Sequence, residues 1–118
     1  LGAEFNKQIF DSCLRAANVV DFIELTQAEN LEVSDLGANF SGGERARICV
    51  ARALYQKKPI LLLDETLASV PLNQAVSIMD SALKLQWVNS VIVVWHNLDT
   101  KKSLFDREIS VGKDFKIT

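Results

Sequence analysis

Apolar residues recur at helical spacing in three stretches of this 118-residue chain. In each stretch they lie three or four positions apart, which predicts an amphipathic helix with one buried face. The first stripe consists of Phe5, Ile9, Phe10, Cys13, Leu14 and Ala17. The second consists of Ala46, Cys49, Val50, Ala53 and Leu54. The third consists of Leu72, Ala75, Val76, Met79, Ala82 and Leu83.

The middle helix carries boundary signals at both ends. Ser41 is followed three residues later by Glu44, the spacing of a capping box in which each side chain binds a backbone N–H of the other residue. Lys57 and Lys58 suit the negative end of the helix dipole, and Pro59 cannot continue the helix. We therefore expect a helix that begins after Ser41 and ends before Pro59.

Two short runs, residues 60–63 and 91–95, contain only apolar side chains. Without polar alternation, such runs are typical of strands buried on both faces of a parallel sheet. With the third helix between them they predict a strand–helix–strand unit, so the expected fold class is α/β. Elsewhere we expect a short helical turn at residues 21–25, a polar loop at 26–39 and a terminal hairpin formed by 107–111 and 115–117.

Titratable side chains follow both predicted strands. Asp64 and Glu65 end the first strand, and His96 ends the second. Because the carboxyl ends of parallel strands meet at one edge of a sheet, we expect these three residues to converge there. One carboxylate could bind Mg²⁺, the other could orient or deprotonate a water, and the histidine could face a phosphate. The residues alone leave open a polar strand end in solvent and a structural histidine.

The start of the middle helix is a second candidate for chemistry. Gly42 and Gly43 allow another backbone or a phosphate to approach closely, and the free N–H groups of a helix start favour an anion. A capped helix after a flexible turn is the alternative interpretation of the same residues. Three arginines of this helix are expected on its solvated face: Arg45, Arg47 and Arg52.

The composition excludes several classes of function. A formal net charge of −2 provides no general electrostatic surface for nucleic acid. No apolar run approaches the roughly 18 residues of a membrane span. Cys13 and Cys49 have neither a disulfide framework nor a zinc-site spacing, so we expect buried free thiols. The chain begins with Leu1 and not with Met, from which we expect a piece of a longer polypeptide.

Taken in order, these segments resemble the motifs of ATP-binding cassette (ABC) ATPases. Residues 40–44 resemble the LSGGQ signature, and residues 51–54 resemble the helix that follows it. Residues 60–65 resemble the Walker B strand with its following glutamate, and 91–96 resemble the H-loop strand with its histidine. The likeness covers roughly residues 20–113, and the approach to the signature is similar to that of ABC exporters.

This resemblance implies part of a P-loop ATPase fold that couples ATP binding and hydrolysis to export. Residues 1–40 would belong to the helical subdomain, and residues 41–118 to the C-terminal part of the ATPase core. Asp64 would bind Mg²⁺, Glu65 would polarise the attacking water, and His96 would contact the γ-phosphate. The signature residues would bind ATP held on the opposing subunit: Ser41, Gly42, Gly43 and Glu44.

The partners implied by the resemblance are protein domains. They are a second nucleotide-binding domain, identical or different, and the transmembrane domains of a transporter, while nucleic acid is not expected. The parent protein would be membrane-bound, with this soluble piece at the cytoplasmic face. ATP and Mg²⁺ are the ligands that follow from the same resemblance.

The chain departs from the family pattern in two places. It contains no G-x-x-x-x-G-K-[ST], so the Walker A half of the ATP site is missing and the chain alone is predicted not to hydrolyse ATP. The family's DEPTSALD run appears as residues 64–71, with Thr66 in place of the usual proline and Pro71 in place of the D-loop aspartate. The second change predicts altered coupling between two sites, or one degenerate site.

Two other interpretations stay open at this point. The S-G-G-E signature and the paired acids also resemble the ATPase heads of chromosome-maintenance proteins, which bind nucleic acid. Residues 51–54 and the absence of a heptad arm favour a transporter instead. The missing phosphate loop and Pro71 are also compatible with a non-catalytic fragment that binds another ATPase domain.

Overall fold

The computed structural model describes residues 4–23, 40–95 and 104–109. Helix α1 spans Lys7–Ala16 and is followed by a 3-10 turn at Val19–Asp21. Helix α2 spans Gly42–Tyr55, strand β1 spans Ile60–Asp64, helix α3 spans Leu72–Leu83, and strand β2 spans Ser90–Val94. The three predicted helices and the strand–helix–strand unit are therefore confirmed.

The predictions for the connecting segments have mixed outcomes. A 3-10 turn forms at Val19–Asp21 and overlaps the short turn expected at 21–25 only at Asp21, and residues 24 and 25 lie outside the described residues. In the described part of the terminal hairpin, residues 107–109 form no strand. The loop expected at 26–39 and the rest of the hairpin lie outside the described residues.

The two strands pair in parallel, as predicted. Ile60 lies opposite Ser90 and Asp64 lies opposite Val94. Beyond the last pair, the Glu65 N–H donates a hydrogen bond of 2.9 Å to the Val94 carbonyl. The register places the carboxyl ends of both strands at the same sheet edge.

The expectation that both faces of the strands are buried is wrong. Leu61 and Leu63 belong to the core, whereas Ile60 is 56% exposed and Leu62 is 61% exposed. Strand β2 follows the same alternation, because Ile92 is exposed. The described residues cover only one face of the sheet. The apolar side chains on that face are buried, and those on the other face are exposed to solvent.

Packing of the helices selects faces that differ in part from the predicted stripes. The first stripe is confirmed at its C-terminal end, where Cys13 and Leu14 of α1 are buried, but Phe5, which precedes α1, is exposed. On α2, Cys49 is exposed, so the prediction of two buried thiols holds only for Cys13. The buried residues of α2 share Val50 and Leu54 with the predicted stripe and add Ile48 and Ala51 to it. On α3 the buried residues are Ala75, Ile78, Met79 and Ala82.

The C-terminal end of α2 is tied to both neighbouring parts of the molecule. The Tyr55 hydroxyl accepts a hydrogen bond of 3.0 Å from the N–H of Asn6, the residue that caps α1. The Tyr55 ring also packs against Phe5 and Phe10. The Trp87 indole N–H donates 3.0 Å to a carbonyl in the last turn of α2. These contacts fix the end of α2 between α1 and the connection from α3 to β2. Among the described helices, none combines the length and apolar character needed to cross a lipid bilayer.

Candidate functional site

The start of α2 forms the predicted capping box. The Ser41 hydroxyl accepts a hydrogen bond of 3.2 Å from the Glu44 N–H, and the Glu44 carboxylate accepts one of 3.2 Å from the Ser41 N–H. The Arg45 N–H donates to the Ser41 carbonyl. The N–H groups of Gly42 and Gly43 are the first two of the helix, and helix geometry gives them no partner in the preceding turn. They are therefore the donors that this helix start can offer to an anion.

The capping box also determines what Glu44 can do. Its carboxylate is folded back onto the helix start, where it satisfies a backbone donor. A negative side chain in this position is favourable for the helix dipole but unfavourable beside a bound phosphate. Among the signature residues, Glu44 is thus fitted to shape the turn, and the backbone of the two glycines is fitted to contact a ligand.

The two glycines lie against the segment that follows β1. A Cβ atom added at Gly43 would lie 3.1 Å from the Ser69 carbonyl oxygen and 3.9 Å from Val70. A Cβ atom added at Gly42 would lie 3.7 Å from the Ser69 side chain, which is an ordinary contact distance. The close approach foreseen from the glycine pair is therefore made at Gly43 by a backbone of the same chain. It connects the helix start to the segment that leads away from Asp64.

The carboxyl end of β1 presents its two acids to solvent. Asp64 is the last residue of the strand, and both Asp64 and Glu65 are exposed. Glu65 has a φ of 55°, the left-handed region that costs a non-glycine residue about 1 kcal/mol or more. Its carbonyl accepts a hydrogen bond of 3.1 Å from the Ala68 N–H, which closes the turn. Backbone strain of this kind is typical of positions that orient a functional side chain.

The predicted convergence of His96 with the two acids stays a prediction, because His96 lies outside the described residues. The strand that leads to it is described up to Trp95. Val94 lies opposite Asp64 and accepts the hydrogen bond from Glu65. The strand register therefore places Val94, two residues before His96, at the same sheet edge as Asp64.

Asp64 is compatible with a magnesium ion that is shared with a nucleotide. Among the described residues, no group of three or more His, Cys, Asp or Glu side chains could hold a metal by itself. Mg²⁺ commonly takes one or two carboxylates and completes its octahedron with phosphate oxygens and waters. A single exposed carboxylate at a strand end fits that requirement.

One arginine of α2 does not lie where the sequence placed it. Arg45 and Arg52 are exposed, as expected for a solvated face. The Arg47 side chain is only 13% exposed, so the same expectation is wrong for Arg47. The reason is that Arg47 precedes Ile48 on the buried side of the helix, and its guanidinium reaches the turn after α1. Its position four residues after Gly43 was the available signal, because residues four apart are neighbours on a helix surface.

These features together define a class of protein. A parallel strand–helix–strand unit that ends in carboxylates, beside a glycine-rich helix start, is typical of α/β proteins that bind phosphorylated ligands. The family model described as ABC transporter matches residues 4–68, which is more than half of the chain. The chain belongs to the ABC transporter family. The match includes the signature segment, Asp64 and Glu65, and it begins earlier in the chain than the motifs alone indicated.

Several characterised relatives are transport proteins. The chain is 37% identical over 95 residues to an ATP-dependent lipid A-core flippase of Syntrophus aciditrophicus (strain SB), covering 80% of this chain and 16% of the flippase. It is 38% identical over 100 residues to the toxin RTX-III translocation ATP-binding protein of Actinobacillus pleuropneumoniae, covering 84% and 14%. It is 31% identical over 118 residues to an oligomycin resistance ATP-dependent permease of Saccharomyces cerevisiae, covering 98% and 8%. The chain thus spans less than a fifth of the length of each of these relatives.

Proposed function

We propose that this chain is the C-terminal part of an ATP-binding domain that drives the export of a substrate across a membrane. The observation that carries the proposal is the packing of the capped Ser41-Gly42-Gly43 helix start against the segment that follows the Asp64–Glu65 strand end. The family membership and the transport names of the relatives support an exporter. They also favour export over the nucleic-acid-binding alternative.

The strand end would carry the hydrolytic chemistry. Asp64 would hold Mg²⁺, which neutralises charge on the β- and γ-phosphates when it is bound. Glu65 would orient and polarise the attacking water, and His96 would contact the γ-phosphate. Phosphoryl transfer depends mostly on positioning and electrostatics, so the strained backbone at Glu65 would serve the reaction by holding the carboxylate in place.

The helix start would act on a different nucleotide. The N–H groups of Gly42 and Gly43, together with the Ser41 hydroxyl, would bind the γ-phosphate of ATP held by an opposing nucleotide-binding domain. Glu44 would keep the turn in shape through its hydrogen bond to Ser41. Two such domains, identical or different, would enclose two ATP molecules, and closure would assemble each site.

The division of the chain follows from the same proposal. Residues 1–40 would form part of the helical subdomain next to the transmembrane domains, and residues 41–118 would form the C-terminal part of the ATPase core. With this division, the chain would lie at the cytoplasmic face of the membrane. The chain contains no Walker A loop, so we expect the 118 residues alone not to hydrolyse ATP.

The decisive experiment measures ATP hydrolysis by the complete gene product and by its Glu65→Gln variant. A general base contributes about 10²–10⁴-fold to a reaction, so we expect kcat to fall by at least about 100-fold while ATP binding persists. Asp80→Asn is the matched control, because Asp80 is an exposed acid on α3, outside the site. Hydrolysis at the wild-type rate by Glu65→Gln would contradict the assigned role. Binding of ATP without hydrolysis by the wild type would favour the non-catalytic alternative.

A further inference from the structure

Arg47 joins the start of α2 to the turn that follows α1. Its Nε donates a hydrogen bond of 3.4 Å to the Gly43 carbonyl, and its Nη1 donates one of 3.3 Å to the Asn18 carbonyl. Its guanidinium carbon lies 4.7 Å from the centre of the Phe22 ring. One side chain therefore contacts the glycine turn and two residues that lie more than twenty positions earlier in the chain.

The same aromatic ring also holds the residue that precedes the glycine turn. The rings of Phe22 and Phe40 lie 5.9 Å apart at an interplanar angle of 62°, an edge-to-face arrangement. Phe40 comes immediately before Ser41, and Arg47 comes four residues after Gly43. Phe22 therefore contacts the chain on both sides of the Ser41-Gly42-Gly43 turn.

The contacts of Arg47 differ in strength. Its ion pair with Asp21 is 3.8 Å long, and the Asp21 side chain is 63% exposed, so solvent screens this pair and its contribution is small. The guanidinium itself is largely excluded from water, so solvent screens its contacts less than it screens the ion pair, although its two hydrogen bonds, at 3.4 and 3.3 Å, are longer than is usual. Stacking on an aromatic face and forked donation are properties of arginine that lysine lacks. The Gly43, Asn18 and Phe22 contacts therefore dominate.

We infer that Arg47 is a positioning residue for the phosphate-binding helix start. It holds the first turn of α2, which carries the Gly42 and Gly43 N–H groups, against the unit formed by α1 and the turn at Val19–Asp21. Arg47 acts through the Gly43 carbonyl and does not contact the nucleotide itself. This inference rests on the proposed function only for the effect on ATP. The contacts by which Arg47 joins the start of α2 to the turn after α1, called the clamp below, do not depend on the proposed function.

The test compares the affinity for a non-hydrolysable ATP analogue with the affinity for ADP in the complete gene product. The helix start would contact only the γ-phosphate, so Arg47→Ala should weaken analogue binding about tenfold, or about 1.4 kcal/mol, and leave ADP binding unchanged. Arg47→Lys should restore part of the loss, because it keeps a charged donor without the fork. Arg52→Ala is the matched control, an exposed arginine on the same helix, and should alter neither affinity. An equal loss for both nucleotides, or no loss, would overturn the positioning role.

A second readout follows the clamp without nucleotide. Backbone hydrogen exchange measured by mass spectrometry should speed up in Arg47→Ala in two peptides, one covering residues 18–23 and one covering residues 41–46. Arg52→Ala should change neither peptide. If the wild type binds no ATP but the exchange pattern appears, the proposed function fails and the clamp stands. If exchange is unchanged in Arg47→Ala, the clamp itself is refuted.

Discussion

Replacement of Gly43 by alanine tests the contact between the helix start and the segment after β1. The added methyl group would lie 3.1 Å from the Ser69 carbonyl oxygen, which is shorter than ordinary carbon–oxygen contacts. The obstructing atom belongs to the backbone, so it cannot move aside by a simple side-chain rotation. Gly42→Ala is the matched control, because its methyl group would meet the Ser69 side chain at 3.7 Å.

The comparison of the two variants isolates the steric cost. Both changes replace glycine by alanine in the first turn of α2, so both gain the same helix propensity, at most about 1 kcal/mol. Excess volume in a packed contact costs about 1–3 kcal/mol. We therefore expect Gly42→Ala to be neutral or slightly stabilising, and Gly43→Ala to be less stable than Gly42→Ala by about 1–3 kcal/mol.

Thermal unfolding of the complete gene product measures this difference. For a domain of 150–250 residues, 1 kcal/mol corresponds to about 2–4 °C in Tm, so the two variants should differ by several degrees. Equal Tm values would refute the reasoning, because they would show that the Ser69 segment moves away freely. In that case the glycine turn and the strand end would not be held together by this contact.

Four further predictions concern residues outside the site. Burial raises the pKa of the Cys13 thiol to about 11, so alkylation followed by peptide mass spectrometry should label exposed Cys49 long before Cys13, and equal rates would contradict the burial. The same shift stabilises the fold fully below pH about 9, and this contribution is lost as pH rises through about 11; Cys13→Ala should remove that part of the pH dependence of unfolding. Tyr55→Phe removes the hydroxyl that accepts the Asn6 N–H but keeps the ring packing. The free energy of unfolding measured in urea should fall by an amount near the lower end of about 0.5–1.5 kcal/mol, and an unchanged value would show that the hydrogen bond contributes nothing. The exposed sheet face predicts that the isolated chain self-associates and that Leu62→Lys with Ile92→Lys reduces this in gel filtration; a monomeric wild-type chain would contradict it.

The parts of the fold that depend on neighbours in sequence were predictable. The capping box of Ser41 and Glu44 requires only a spacing of three residues, and it forms as expected. The parallel strands follow from two apolar runs separated by one helix, and Asp64 ends its strand as the pattern indicated. In each case the signal and the structure involve the same short segment.

The parts that depend on distant contacts were not predictable. The spacing of apolar residues on α2 is compatible with more than one buried face, and only the position of α1 shows that Ile48 is buried and Cys49 is exposed. Arg47 is partly buried because Asn18 and Phe22, far away in sequence, provide a carbonyl and a ring. A hydrophobic pattern contains no information on such partners.

The candidate site was predictable in its composition but not in its geometry. The residue types at the strand end indicated carboxylate chemistry. The left-handed backbone conformation that turns Glu65 away from the strand was not predictable from the sequence. A glycine or an asparagine is the usual signal of that conformation. Glutamate is not such a signal, so the turn at Glu65 emerges only from the structure.

The two long-range contacts of the helix start act on the same turn from opposite directions in the chain. Ser69 approaches Gly43 from the segment that follows the Asp64–Glu65 strand end, and Arg47 holds the Gly43 carbonyl to the turn after α1. Because Gly43 is contacted by Ser69 on one side and by Arg47 at its carbonyl, a rotation of the turn would disturb at least one of these contacts. A displacement of α1 would therefore shift the glycine N–H groups and, through Ser69, the segment next to Glu65. In the proposed exporter, this arrangement would make ATP closure and the position of the helical subdomain mutually dependent.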